Sequence, residues 1–472
     1  MIDSFLQIFL FVSIPVPIAL LFRGRAEALL ISPLIGLATA YVSGMLHLFF
    51  NIPTVVAWLV IILSSYVLIL RSKSLRRLLA ENWKRPLATL DYSIIIVGFV
   101  FVFGFIWRIP PPLGWDARSI WLFLASWLIE DSQVYVHAQQ MPGVLHPGYP
   151  FGVPASIAVA WQLNGGVENL WSGVRLVAVL TLSVSLLTVK TLVNYLGKNF
   201  SNGYQVLVTL FMTPVLFLVY AGFARNGYMD PLLANLIALA SVCMLTLIEN
   251  NALTPDARRW LLTLSGISLF CATSAKQEGF WFSLMLVISY ILVDKKSTSR
   301  MKLALASFPL TSFLIWKASM LAVGSTEKGD ASGIITKIPE IFDPTSEARK
   351  IYGTIIDRYF DAYLFVPTPL ISIFAFTVLL AMISIGRKAN IGLLFFATFV
   401  WFGNWLIIFA PYMFGNLRSW IDGWLATSFD RIVTSQLLFT YIFAAYVFVN
   451  LTNPQTLDSN ESEKSSPSEV NA

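Results

Sequence analysis

Five short polar stretches interrupt an otherwise apolar chain, and each holds side chains able to move protons or neutralise charge. Gly114-Trp115-Asp116-Ala117-Arg118 comes first, and His146-Pro147-Gly148-Tyr149-Pro150 follows in the same loop. Then come Arg225-Asn226-Gly227-Tyr228-Met229-Asp230-Pro231, Thr273-Ser274-Ala275-Lys276-Gln277-Glu278-Gly279 and Ser428-Phe429-Asp430-Arg431. A carboxylate such as Asp116 suits a general base that accepts a proton from a hydroxyl as its oxygen attacks a sugar carbon. Asp230 suits a second acid facing Asp116, holding a divalent cation or the acceptor. Arg118 and Arg225 offer guanidinium forks shaped for phosphate, and Lys276 offers a point charge for the same group.

Each residue also has a plainer role. Asp116, Asp230 and Asp430 all fit helix N-caps, and Pro231 fits the first helical position after such a cap. Arg118 suits an interfacial anchor or a partner for an aspartate, and Arg431 an interfacial anchor or a contact to a donor phosphate or to the carboxylates. His146 stands in a turn enforced by two prolines and a glycine, as a structural corner or a ligand contact. Lys276 and Glu278 suit a surface pair on an outer turn, since charges at membrane depth cost several kcal/mol unless paired or wet.

The elements that must position these groups are membrane helices. Of the 472 residues, 57% are hydrophobic and 12% charged, whereas a soluble domain carries about 25% charged residues. The chain therefore reads as an all-α, polytopic transmembrane bundle. At roughly 20 apolar residues per crossing, about thirteen spans are expected, beginning near residues 4, 28, 52, 90, 170, 204, 231, 260, 280, 303, 364, 389 and 432. Phe5 to Phe22 lacks a basic segment before it and reads as a retained helix, not a signal peptide. Residues 1–85 read as a three-span appendage closed by a basic loop, 86–450 as the catalytic module, and 451–472 as a disordered tail. The polar stretch from Gly324 to Asp361 is expected to be a long outer loop able to cover a site.

Lysine and arginine collect in alternate loops: Arg23 and Arg25, Arg71 to Arg85, Lys198, Arg258 and Arg259, Lys295 to Lys302, and Arg387 and Lys388. Those loops are expected on the cytoplasmic side. Asp116, His146, Arg225, Asp230, Lys276, Glu278, Arg418, Asp422, Asp430 and Arg431 then share the outer side. The formal charge of +6 falls mainly in these short loops and gives no reason to expect nucleic-acid binding. Cys243 and Cys271 sit in apolar stretches, which suggests neither a disulfide framework nor a cysteine metal site.

No Gly-rich phosphate loop, dinucleotide fingerprint, zinc helix or nucleophile elbow occurs. With no room for a nucleotide-sugar domain, group transfer would need a donor already at the outer face, and a lipid-linked donor meets that need.

In this order the motifs resemble the GT-C class of integral membrane glycosyltransferases, closest to the aminoarabinose transferase and protein O-mannosyltransferase group, over about residues 90 to 450. The resemblance implies a polyprenyl-phosphate sugar donor and inverting transfer to a lipid, glycan or protein hydroxyl at the outer face of a bacterial plasma membrane. It makes Asp116 the base and Asp230 the second acid, and sets Lys276 and Arg431 on the phosphate. Arg118, His146, Tyr149, Arg225 and Glu278 complete the expected substrate contacts. Three extra N-terminal spans, the lack of a soluble C-terminal domain, and Ala117 where many members have a second acid depart from the pattern. The last departure leaves use of a divalent cation open. A transporter or flippase, and a ligase or polymerase of lipid-linked glycans, are the rival expectations. The outer-loop position of the polar groups and the lack of an inverted repeat weigh against transport.

Overall fold

A computed structural model describes residues 2–107, 113–139, 146, 148–165, 169–196, 201–218, 226–250, 253–325, 337–365, 391–414, 421–423 and 431–452. Among these residues the chain is all helical, with no strand. Eight helical stretches are long and apolar enough to cross a membrane: Ile2–Ala19, Arg25–Phe50, Thr54–Arg71, Thr89–Trp107, Leu170–Tyr195, Asp230–Glu249, Ser299–Ala322 and Ile391–Phe414. Three shorter apolar helices, Asn202–Phe217, Gln277–Val293 and Thr434–Val447, join them. The chain is thus an integral multi-pass membrane protein by its helices. Among the described residues these eight full-length stretches and three shorter ones stand at eleven of the thirteen expected crossings. A polar corner at Lys276 leaves Gln277–Val293 at 17 residues, and Pro255–Ala275 opens with Asp256, Arg258 and Arg259. The crossing expected near residue 364 falls mostly outside the described residues, as does the tail from residue 453.

Asp230–Glu249 is the central helix, buried along its whole crossing, as is Leu170–Tyr195. Alanine, leucine and small polar residues let neighbours approach, and many of the polar groups are paired within the bundle, as lipid favours. Asn235 shows how. Its Oδ1 accepts from Ser185 at 2.8 Å, and its Nδ2 donates to Leu216 O at 3.2 Å and Pro231 O at 2.9 Å. Tyr446 donates to Leu245 O at 3.3 Å and Ser268 to Leu236 O at 2.7 Å.

These bonds also give direction. Gly227 lies against Val174, and Ser185 beside Asn235, so Leu170–Leu196 and the central helix run the same way. Asn202–Leu218 returns between them. Thr89–Phe101 runs opposite to Leu170–Leu196, because Gly98 lies against Leu186 while Asp91 meets Lys190. Asp116 and Asp230 therefore stand at one end of the bundle, and Asp91 and Lys190 at the other. At 1.5 Å per residue, Val174 and Lys190 are roughly 24 Å apart along their helix.

Residues 1–85 take part in this core. Arg25–Phe50 packs on Gly152–Gln162, Leu170–Leu196, Pro255–Ala275 and Ser299–Ala322. Its C-terminal end turns at Asn51, whose φ of 53° closes the helix. From there Asn51 Oδ1 accepts from Ser132 N–H at 2.9 Å, Thr54 donates to Leu128 O at 2.7 Å, and Gln162 Oε1 accepts from Val55 N–H at 3.0 Å. The N-terminal helices thereby hold the loop that follows Asp116. The expected outer loop from Gly324 is in part helical, since Glu347–Phe365 forms about five turns of helix.

One close approach sets the Lys276 corner. A β-carbon at Gly279 would stand 2.0 Å from Ala272 O, a backbone atom that cannot move aside. Gly279→Ala is therefore expected to lower the unfolding temperature in detergent, with a cost of about 1–3 kcal/mol or more. An unchanged melting curve would show that the corner is looser than the structure has it.

Candidate functional site

Two loops dock to begin the site. Gly114 N–H donates to Asn226 O at 2.9 Å, and Trp115 N–H to Tyr228 Oη at 3.3 Å. The turn between Asn226 and Tyr228 needs glycine. Gly227 has φ of +84°, and a β-carbon there would lie 2.8 Å from the Ala117 β-carbon. Next, the chain enters the central helix with Asp230 as its first residue and Pro231 as its second, while Met229 holds the cap position. Asp116 caps nothing either: its backbone is helical (φ −59°, ψ −38°) and it makes no capping hydrogen bond. The expected cap roles of both acids are corrected, because each carboxylate turns to a cation instead. Asp430 lies outside the described residues.

The cations come from two other segments. Lys276 is the single extended residue between Pro255–Ala275 and Gln277–Val293. Arg431 stands shortly before Thr434–Thr452. Lys276 Nζ binds Asp230 Oδ1 at 2.7 Å and lies 3.5 Å from Glu278 Oε1. Arg431 binds Asp116 Oδ2 at 2.6 Å and lies 3.6 Å from Asp230 Oδ2. Its guanidinium also stacks on the Tyr228 ring at 4.4 Å. The side chains of Asp116, Asp230 and Lys276 are 10%, 4% and 8% exposed, so the pairs lie in a medium where an unpaired charge is costly. Acid and base alternate in the order Glu278, Lys276, Asp230, Arg431, Asp116. Five of the nine residues expected at the site are thus brought into one network.

The others are placed around it. Tyr149 Oη accepts from Gln277 Nε2 at 3.4 Å, which ties the His146 turn to the Lys276 corner. His146 stacks on Tyr149 at 4.5 Å with a φ of 50°, and Trp121 lies 5.7 Å from the same ring. Trp316 Nε1 donates to Gly148 O at 2.7 Å and fixes this turn from Ser299–Ala322. Trp121 ends a π-helical turn, Ala117–Trp121, a form concentrated at functional sites. Its Nε1 is buried with no hydrogen-bond partner. Arg118 is exposed and takes part in none of the ion pairs. Arg225 and Arg418 lie outside the described residues, and Asp422 pairs at 3.4 Å with Arg358, apart from the network.

Sequence reasoning missed Arg175. It lies near the start of Leu170–Leu196, 6% exposed, with its guanidinium 5.2 Å from the Trp107 ring and Nε without a hydrogen-bond partner. A lone arginine inside an apolar run was the available signal, since such a charge needs a functional or structural partner.

Burial pushes the Asp116 carboxyl above the ordinary carboxylate range. Arg431 opposes that rise, Asp230 adds to it and Lys276 opposes it, and the raised direction survives. A divalent cation between the two acids does not fit this arrangement, because the Arg431 guanidinium already bridges Asp116 and Asp230. Among the described residues no group of three or more histidine, cysteine or acidic side chains could hold a metal. No family model matches the chain, and neither a curated protein nor a solved structure is found similar to it.

Arg431→Met is expected to destabilise the protein by about 3–5 kcal/mol, the usual result of removing one partner from a buried pair. Adding Asp116→Asn should recover part of that loss, since the orphaned charge is then gone. Equal unfolding midpoints for wild type and the single variant, in denaturant and detergent, would sink the network as a structural tie.

Proposed function

We propose that the chain is a membrane glycosyltransferase of GT-C type that moves a sugar from a polyprenyl-phosphate donor to an acceptor hydroxyl, with inversion, on the extracytoplasmic face. One observation carries the reading. Asp116 is a buried carboxylate anchored through Oδ2 by Arg431, while Oδ1 accepts no hydrogen bond from the described residues. That is the arrangement of a base held still by one oxygen and ready with the other. Its raised proton affinity strengthens it for the task.

In the proposed reaction Asp116 Oδ1 takes the proton of the acceptor hydroxyl. The acceptor oxygen bonds to the anomeric carbon from the face opposite the phosphate. The bond from that carbon to the phosphate oxygen breaks, and its electron pair leaves with the polyprenyl phosphate. Charge gathers on the leaving phosphate, so cations there favour the transition state over the ground state. Lys276 and Arg431 were the expected phosphate ligands, but both are engaged by carboxylates. In this reading they position Asp230 and Asp116, and the phosphate falls to Arg118 and Arg175, which have no carboxylate partner among the described residues. His146, stacked on the buried Tyr149 ring, is the partly exposed member of this aromatic group and would meet a sugar beside it.

The test is transfer from a labelled polyprenyl-phosphate sugar by the purified protein in detergent, with the product weighed by mass spectrometry. A product heavier by one sugar supports the proposal, and a whole glycan block points to a ligase. Uptake into vesicles with no covalent product points to a transporter. Asp116→Asn should slow transfer by about 10²–10⁴-fold per mole of folded protein, and a wild-type rate in that variant would end the assignment.

The pH profile gives a second check. The base works only when deprotonated, and the Asp116 carboxyl is raised, so kcat/KM should fall as pH drops through a value above the ordinary aspartate pKa of about 3.9. An acid limb at or below that value, or none, would count against Asp116.

A further inference from the structure

The far end of the bundle carries a charged group that the proposed reaction does not use. Two adjoining cavities lie there, of about 150 and 220 Å³, and Arg23 and Glu27 line both. Arg25, Arg85 and Asp91 line the first, and Lys190 and Trp260 the second. Lys190 is 4% exposed and engages both acids at once, Glu27 Oε1 at 3.0 Å and Asp91 Oδ1.

Among the described residues that pairing leaves three guanidiniums without a carboxylate. Arg23 stacks over Trp260 at 5.0 Å. Arg25 donates to Arg85 O at 3.3 Å and lies 5.8 Å from the Trp83 ring, and its Nε is buried with no hydrogen-bond partner. The Arg85 side chain is exposed and lines the first cavity. Four cations face two acids, so the lining carries two net positive charges. The backbone adds to them. Arg25–Phe50 begins after Gly24 with no side-chain cap, so its first N–H groups are open toward an anion at the same cavity.

We propose that these cavities form an anion site that binds a phosphate group, distinct from the site at Asp116 and independent of the reaction proposed there. Guanidinium forks match phosphate oxygens in pairs. Lys190 holds Glu27 and Asp91 away from the ligand, which would otherwise repel it. Two sources share this chemistry, free phosphate and a phospholipid headgroup. The neighbouring helix Lys73–Lys84 is pinned here by Asn82 Nδ2, which donates to Leu20 O at 2.7 Å. It shows Leu78 and Trp83 exposed among Arg76, Arg77 and Lys84, the pattern of a helix lying in an anionic membrane surface.

Two measurements on the full chain separate the sources. In one, protein reconstituted in phosphatidylcholine vesicles with a minor share of phosphatidylglycerol is released into native mass spectrometry, and retained phosphatidylglycerol is counted. In the other, protein in neutral detergent is titrated calorimetrically with inorganic phosphate. Retention of phosphatidylglycerol identifies a headgroup, and heat from inorganic phosphate identifies the free ion; either supports the site. Arg23→Gln and Arg85→Gln should each weaken the observed binding by about tenfold or more, the loss of one charged hydrogen bond. Arg85 is exposed, so its substitution tests the site without disturbing the fold. No binding in either measurement, or binding unchanged in both variants, overturns the proposal.

Discussion

A buried charge must find its opposite, and in this protein that requirement ties four distant pieces of chain together. Asp230 sits between Lys276 and Arg431, and Arg431 reaches Asp116, 315 positions away in sequence. Water would screen such pairs to about 1 kcal/mol at 4 Å, but in a medium of lower dielectric each is several times stronger. The same medium penalises any member left alone. The network is therefore less a gain in stability than a constraint on shape, because no arrangement of these four segments that parts the charges is tolerable.

That constraint explains what could be read from the sequence and what could not. The residue types, their order and their common end of the bundle follow from local motifs and from where lysine and arginine gather. The pairing does not. Asp116 and Asp230 each looked like a helix cap, because a cap is a local signal judged within three or four residues. Their actual partners come from segments far along the chain, and only the packed helices bring them near. Lys276 with Glu278 was visible as a pair, but the shorter contact is to Asp230, 46 positions back.

A window of about 20 residues sees mean apolarity, so the sequence sets the number of crossings less sharply than the polar corner at Lys276 sets the length of Gln277–Val293. Arg175 and Lys190 were hidden by the same averaging, as single charges inside runs that otherwise read as lipid-facing. Both proved to be buried beside named partners, Trp107 for one and two carboxylates for the other.

The two ends of the bundle hold opposite balances, and this asymmetry bears on the proposed chemistry. At the Asp116 end three acids face two bases within the network, so the cluster as a whole favours taking up a proton and repels a phosphate. On the proposed reading a phosphate donor is kept from the Lys276–Asp230–Arg431 side and meets Arg118 and Arg175, which stand outside the network. On the proposed reading, the acceptor hydroxyl approaches on the carboxylate side and the leaving group on the arginine side. Inverting displacement needs that separation, because nucleophile and leaving group occupy opposite faces of the reacting carbon. The excess of acid that looks unsuited to a phosphate substrate is what would keep its two reacting ends apart.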